Sequence, residues 1–468
     1  MNRSIAEGSV GLASRPAGAA SSRPRSTLAV GLGLVVLFLA LYVLTRPWWP
    51  SVYNHFVWQA DAYLQGQVSI RFPVPATATS PGNDFFNDVV PVLDAAGNET
   101  GRGMIPFPPL PAVILLPFVA IWGMATDETF LSVLLGAIDI GLAYWLLGRL
   151  PVRAGLRAAL TVFLGAGTAL WYASSLGTTW YLAHVVAVGL TLGAVGIALD
   201  ADGRAAARGS GEPRPLLDWH QVAAGLLLGL AVTSRLTVVF GAVFLLFVGG
   251  GGSWTRRAAN AGIGLAIPVG ALLLYNLAVS GTLFNTVYEA LYRHEVWAYP
   301  ELHYSGAWAL EDLRYIPQNL GILLGGLPNV MPACDAGVAR EIWSAAGCSW
   351  LVPDPAGMSL LLTSPAWLLA AAALPLLRDR RVAGAFLATL AIAFVNLMHF
   401  SQGWVQFGYR FSLDFAPFLL VPLALGAERL VARHGARGRR GGVLVGGLIA
   451  VSVVVQAWGL VWARVLGW

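Results

Sequence analysis

The chain has 468 residues, of which 57% are hydrophobic and only 11% charged, against roughly a quarter charged in ordinary soluble domains. So little charge cannot cover a globular surface, which excludes a soluble enzyme or a nucleic-acid-binding domain. The formal charge is +5, and all 29 basic residues are arginine; lysine nucleophiles and Schiff bases are therefore excluded, and any bound anion must be met by Arg, His, amides or backbone.

Residues 1–27 are rich in Gly, Ala, Ser and Arg and read as a disordered cytoplasmic tail. The apolar run 28–44 is followed by Thr45-Arg46-Pro47-Trp48-Trp49 instead of a small-residue cleavage site, so it reads as a retained first span. Further apolar runs near 129–148, 158–175, 179–199, 216–233, 236–250, 259–279, 359–377, 382–399, 411–428 and 443–463 predict an all-α polytopic membrane protein with eleven transmembrane helices. Residues 107–123 are apolar but short, and they hold four prolines. If they lie in the outer interface and the N-terminus is cytoplasmic, 20 arginines fall inside and 9 outside. If they cross, the count becomes 10 and 19, and the positive-inside rule selects the first arrangement. The expected organisation is then an N-terminal membrane module, 28–279, that includes an external loop at 46–128. A large external loop, 280–357, and C-terminal membrane helices, 358–468, complete it. Cys334 and Cys348 both fall in the second loop, on the oxidising side, and are a disulfide candidate.

Residues 53–65 predict an amphipathic interfacial helix in the first loop. Helical spacing puts His55, Gln59 and Ala62 on one stripe and Asn54, Trp58 and Asp61 on the next. A histidine, amides and a carboxylate beside the membrane suit a general base and its support; an ordinary wet helix face is the competing reading. Asp84, Asp88, Asp94 and Glu99 follow in a Pro/Gly/Asn-rich stretch, as solvated loop acids or as oxygen ligands for a divalent metal. Arg102 precedes the Pro-rich segment, placed to meet a lipid headgroup or phosphate. Arg235 sits at the tip of a hairpin, 216–250, whose 35 residues allow about 26 Å per crossing. The tip therefore lies at or just below the outer boundary, where a charge needs a polar cavity or an anion. Arg410 and Asp414 are four apart in the tenth span and could pair on one helix face. His184 and His399 belong to the same depth. External tryptophans such as Trp58, Trp180, Trp308 and Trp404 suit an interfacial belt or sugar stacking.

The first span, the long loop whose short helix ends Ala62-Tyr63-Leu64-Gln65-Gly66, and the Pro-rich segment together resemble the GT-C class of integral-membrane glycosyltransferases. The likeness is strongest to bacterial relatives of protein O-mannosyltransferases and aminoarabinose transferases. Gly103-Met104-Ile105-Pro106-Phe107-Pro108-Pro109, Thr233-Ser234-Arg235-Leu236-Thr237, Tyr275-Asn276 and Phe407-Gly408-Tyr409-Arg410-Phe411-Ser412-Leu413-Asp414 are similar to segments of that class. The resemblance extends over residues 28–430. It implies a multi-pass plasma-membrane enzyme that moves a sugar from a polyprenyl-phosphate donor to an acceptor hydroxyl of a glycan, lipid or protein on the extracytoplasmic face. It also implies a first-loop carboxylate as proton acceptor and cations for the leaving phosphate. Asp61, His55 and Asn54 are the expected catalytic set; Arg102, Arg235, Arg410, His184 and His399 are the expected lipid-phosphate set. Such relatives carry an acidic pair ahead of the glycine that ends the first-loop helix, and this chain has Ser51-Val52 there. The base is therefore Asp61 or His55, or a downstream acid such as Asp84 or Asp88. A transporter or flippase, or a non-catalytic lipid-binding relative, are the alternatives.

Overall fold

The computed structural model describes residues 24–47, 53–80, 82–84, 88–207, 216–250, 252–284, 286–294, 307–330, 351–403, 406–433 and 439–467. Among these, six helices are long and apolar enough to cross a membrane: Thr27–Thr45, Glu128–Leu147, Thr179–Ala207, Trp254–Ser280, Arg380–Met398 and Arg440–Leu466. A seventh candidate is the pair Ala154–Ala166 and Ala169–Leu176, bent by 52°. The bend follows from Thr168, whose hydroxyl bonds back to the Leu164 carbonyl while its oxygen caps the Leu170 N–H of the second piece.

Several predicted spans are less regular than the apolar pattern suggests. Residues 236–250 form a 3-10 turn, Leu236–Ala242, and a short helix, Val243–Phe247. Residues 359–377 form Leu360–Thr363 and a 3-10 stretch, Pro365–Leu376, which begins and nearly ends on a proline. The Pro-rich segment forms the helix Leu110–Trp122. Its 13 residues reach about 20 Å, short of a hydrocarbon core of about 30 Å.

The helix Thr179–Ala207 is the central post: 83% of its apolar window is buried, against 11% for Thr27–Thr45 and 17% for Trp254–Ser280, which face outward. It packs on Glu128–Leu147, and a Cβ at Gly189 would come within 2.2 Å of Asp139 Oδ1, so glycine lets the two helices close over that buried carboxyl.

A second, smaller core lies beside the start of this post. It joins the first-loop helix His55–Leu64, the helix Leu110–Trp122 and a three-stranded antiparallel sheet, Ile70–Arg71, Glu99–Met104 and Val90–Leu93, with Glu99–Met104 in the middle. Ile70 pairs with Gly103, Arg71 with Arg102 and Val90 with Met104. Gly103 is a packing requirement: a Cβ there would sit 2.4 Å from Val89 Cγ1 and 2.9 Å from Phe72 Cβ. The helix His55–Leu64 is more buried than an interfacial helix with one wet face, since residues 55–60 and Ala62 are all inside. Cys334 and Cys348, with Trp404 and residues 1–23 of the tail, lie outside the described residues.

Candidate active site

The N-terminal turns of Thr179–Ala207 hold four neighbouring groups, and the helical repeat explains how. Trp180 and His184 are four apart, so they share a face about 6 Å apart along the axis. The Trp180 indole N–H donates to Asp88 Oδ2 at 3.0 Å. His184 Nδ1 lies 3.0 Å from Asp414 Oδ1. Between them, the Tyr181 ring faces the Arg410 guanidinium at 5.2 Å. Thr179 turns the other way, with its hydroxyl 2.9 Å from His55 Nδ1.

Asp414 is the hub of the inner side. Arg235 donates to both its oxygens, Nε to Oδ1 at 3.1 Å and Nη2 to Oδ2 at 2.9 Å. The Thr237 hydroxyl donates to Oδ2 at 2.8 Å, and the Asn396 amide reaches the same oxygen at 3.3 Å. Ser234 fastens the hairpin tip to the Ala183 carbonyl at 2.9 Å, and the Leu110 N–H fastens the Pro-rich helix to the Thr233 carbonyl at 3.1 Å. This bidentate fork is the geometry in which a buried carboxylate and guanidinium compensate each other.

Arg410 does not take part in it. Four residues in an α-helix bring side chains within about 40° of each other, but residues 410–414 form a 3-10 turn, in which the same spacing leaves them about 120° apart. The pairing of Arg410 with Asp414 that the spacing allowed is thus replaced by Arg235 with Asp414. Arg410 is 9% exposed and forms no ion pair among the described residues. Its buried Nε has no hydrogen-bond partner there, and its guanidinium lies against the rings of Tyr181 and Phe411.

Of the four acids in the stretch 84–99, Asp88 alone is buried, at 4% exposure, while Asp84, Asp94 and Glu99 face solvent; farther along the loop Glu128 is buried too and accepts the Thr179 hydroxyl. Asp94 is used locally, accepting the N–H groups of Ala96 and Asn98 in its own turn. Among the described residues no three His, Cys, Asp or Glu side chains converge into a metal-binding set. Burial raises the pKa of the Tyr288 phenol, in the helix Thr286–His294; the Asp88 carboxylate raises it further, and Arg235 and Arg410 oppose that.

The expected residues divide accordingly. Arg235, Arg410 and His184 come together. His399 stands beside them, its ring 6.1 Å from that of Phe411. Arg102 lies in the middle strand of the sheet, its guanidinium donating to the hydroxyl and carbonyl of Ser69. Asp61 accepts from Gln65 Nε2 at 2.6 Å on its own helix. Asn54 precedes that helix, its carbonyl accepting the Trp58 N–H at 3.1 Å. His55 is fully buried against Trp58, Phe107 and Trp180, and this burial pushes its pKa down to about 3. Such a ring stays neutral and braces the wall behind Trp180.

A prediction follows for His55. Its folded pKa is below the unfolded value of about 6.5, so the unfolded chain takes up the proton first as pH falls. Its stabilising contribution is complete above about pH 6.5 and is lost progressively toward pH 3. Moving from pH 7.5 to pH 5 should cost about 2 kcal/mol from this residue. Tryptophan-monitored thermal unfolding should show that loss in the wild type, and His55→Gln should show less of it.

Trp180 is a belt or sugar-stacking tryptophan in the sequence, whereas Tyr181 and Tyr288 carry no expected role there. The run Thr178-Thr179-Trp180-Tyr181-Leu182-Ala183-His184 carried the available signal, a polar and aromatic cluster opening an otherwise apolar span.

No family model matches the sequence, and no curated protein does. Solved structures do. The oligosaccharyltransferase of Archaeoglobus fulgidus in its apo form superposes with a TM-score of 0.52 at 14% identity, over 95% of this chain and 56% of that one. This chain therefore spans little more than half the length of that neighbour. ArnT from Cupriavidus metallidurans, bound to undecaprenyl phosphate, gives a TM-score of 0.48 at 11% identity, over 95% of this chain and 78% of that one. At 14% identity the likeness to the oligosaccharyltransferase is one of fold: this chain has the helical architecture of that structure.

Proposed function

We propose that the chain is a glycosyltransferase that moves a sugar from a polyprenyl-phosphate donor to an acceptor hydroxyl at the external face of the plasma membrane. The observation that carries this reading is Arg410, a buried guanidinium without a carboxylate partner among the described residues. An uncompensated cation at that depth costs several kcal/mol unless an anion docks against it, and a lipid phosphate enters a membrane site with its chain in the bilayer. The topology that goes with the reading has eleven crossings, a cytoplasmic N-terminus and the loops 46–128 and 280–357 outside. Helical segments within each of the eleven apolar ranges support it.

In this scheme Asp88 takes the proton of the acceptor hydroxyl. The oxygen bonds to the anomeric carbon as the bond from that carbon to the phosphate oxygen breaks, and the phosphate departs with one more negative charge. Arg410 meets that charge directly. Arg235, neutralised by Asp414, contributes a fixed fork and a hydrogen-bonding edge. Asp88 also distinguishes this reading from that of a donor-lipid binder without turnover, which needs the arginine but no buried acid. A transporter would use polar groups near the bilayer centre, and most of the candidates here crowd one end of the helices.

The test uses the full chain in nanodiscs with decaprenyl phosphates carrying single pentoses or hexoses, and envelope extract as acceptor. Release of decaprenyl phosphate with at least one sugar is the expected result. No release from any of them, with no saturable binding of decaprenyl phosphate, sinks the proposal.

A further inference from the structure

We propose that the end of the helix Thr179–Ala207 opposite the Asp414 cluster binds a glycerophospholipid, with the lipid phosphate on Arg204 and the acyl chains along Leu216 and Trp219. The proposal uses no residue of the site described above and does not depend on the function assigned to that site.

The depth of Arg204 suits a lipid headgroup. The helix has 29 residues and so reaches about 43 Å, beyond a hydrocarbon core of about 30 Å. No charged residue lies on it between His184 and Asp200. Arg204 comes 25 positions after Thr179; with the first turn at one boundary, it sits about 7 Å beyond the other, at the level of the lipid phosphates. Trp219 and Trp254, which open the helices Trp219–Val232 and Trp254–Ser280, are both exposed at this end, as interfacial tryptophans are.

A cavity of about 340 Å³ opens there among Arg204, Leu217, Asp218, Trp219, His220 and Gly250. Arg204 is held on two sides: Nη1 donates to His220 Nε2 at 2.8 Å, and Nη2 donates to the Asp200 carboxylate. A guanidinium only donates, so Nε2 is the acceptor and the ring proton is on Nδ1, 3.8 Å from Asp218 Oδ1. Two of the five guanidinium N–H groups are used in this way; the others bond none of the described residues, and the side chain is half exposed. A fixed guanidinium with open N–H groups matches the oxygens of a phosphodiester.

The nearby carboxylates are already engaged. Asp218 Oδ1 accepts the N–H groups of His220 and Gln221 as the helix cap. Asp200 is shared by Arg149 and Arg204, and Asp202 is paired with Arg380. Arg257 donates to the carbonyls of Leu246 and Gly252 and has no ion pair among the described residues. Four arginines against three aspartates leave positive charge in excess for an anion.

The rim is apolar and firmly held. The Asp218 N–H donates to Asn260 Oδ1 at 2.8 Å, and the buried Asn260 amide donates to the Leu216 carbonyl at 3.2 Å. The loop is fixed with the Leu216 side chain 80% and Trp219 70% exposed. A soluble phosphate ester would leave these side chains uncovered. A phospholipid covers them with its chains while its phosphate reaches Arg204. In the topology proposed above this is the cytoplasmic leaflet, where basic pockets between helices take anionic headgroups.

The experiment titrates the full chain in neutral detergent with dioleoylphosphatidylglycerol and counts bound lipids by native mass spectrometry. The comparison is the double variant Arg204→Gln, His220→Gln, so that lipids held elsewhere cancel. The wild type should hold one lipid more, with an affinity about ten-fold above that of the variant, as for a lost charge-assisted hydrogen bond. Dioleoylglycerol has the same chains and no phosphate, and should bind both proteins alike. Glycerol 3-phosphate has the phosphate and no chains, and should not saturate in the range that fills the site with lipid. The pairs removed are half exposed and contribute little to stability, so the double variant should fold. Trp219→Ala, a surface change, gives a second test and should also weaken the extra lipid. Equal phosphatidylglycerol binding by the wild type and both variants overturns the proposal. Glycerol 3-phosphate bound as tightly as the lipid overturns the lipid assignment, and dioleoylglycerol bound as tightly as phosphatidylglycerol overturns the role of Arg204.

Discussion

Arg410→Ala should lower sugar release from a polyprenyl-phosphate donor by about 10²–10³-fold, the usual effect of removing one preorganised donor from a developing negative charge. The loss should appear in kcat and, because the donor's phosphate is already charged when it binds, in donor affinity too. Arg410→Lys should recover little, since an ammonium cannot reproduce the flat guanidinium seated against the Tyr181 and Phe411 rings. Stability should change in the opposite direction from most buried substitutions. Arg410 has no ion pair among the described residues, so replacing it relieves an uncompensated charge. Arg235→Ala is the contrasting case, because it strands the Asp414 carboxylate and should destabilise the chain by about 3–5 kcal/mol. Thermal unfolding beside activity separates the two: an Arg410→Ala protein that is both folded and fully active would remove the leaving-phosphate role.

Asp88→Asn should reduce kcat by about 10²–10⁴-fold, the range for loss of a general base, with donor binding retained. The amide keeps the shape and can still accept from the Trp180 indole, so the fold should survive. Asp61→Asn is the control, because Asp61 is engaged with Gln65 on its own helix, and it should keep most of the activity. Steady-state transfer by the two variants, with decaprenyl-phosphate binding measured on each, decides between the carboxyls. Loss in Asp61→Asn with wild-type turnover in Asp88→Asn would move the base back to the first-loop helix.

The contrast between these two acids shows where the chain could be read in advance. Both lie in the first external loop, and local spacing favoured Asp61, which falls on a helical stripe with Asn54 and Trp58. Burial of Asp88 depends on two distant features. One is the close approach of Gly103 to Val89 and Phe72. The other is the Trp180 indole, 92 positions along the chain. Neither has a local signature. His55 was misleading for the converse reason: a histidine in an aromatic setting looks the same in sequence whether it faces a cavity or is enclosed by Phe107 and Trp180.

Hydropathy made the helical membrane architecture legible, because crossing a hydrocarbon layer demands long apolar runs wherever the chain goes. The same constraint led to the expectation of a common depth for Arg235, His184, Arg410 and His399, since charged and polar groups are costly anywhere else in such helices, and all four lie around Phe411 and Asp414. Which arginine keeps its charge free is a different kind of fact. It depends on a 3-10 turn at 410–414 that swings Arg410 away from Asp414, and on a hairpin tip that presents Arg235 from another part of the chain. Partner choice of this kind is made by distances of a few ångströms between elements far apart in sequence, and only their packing sets those distances.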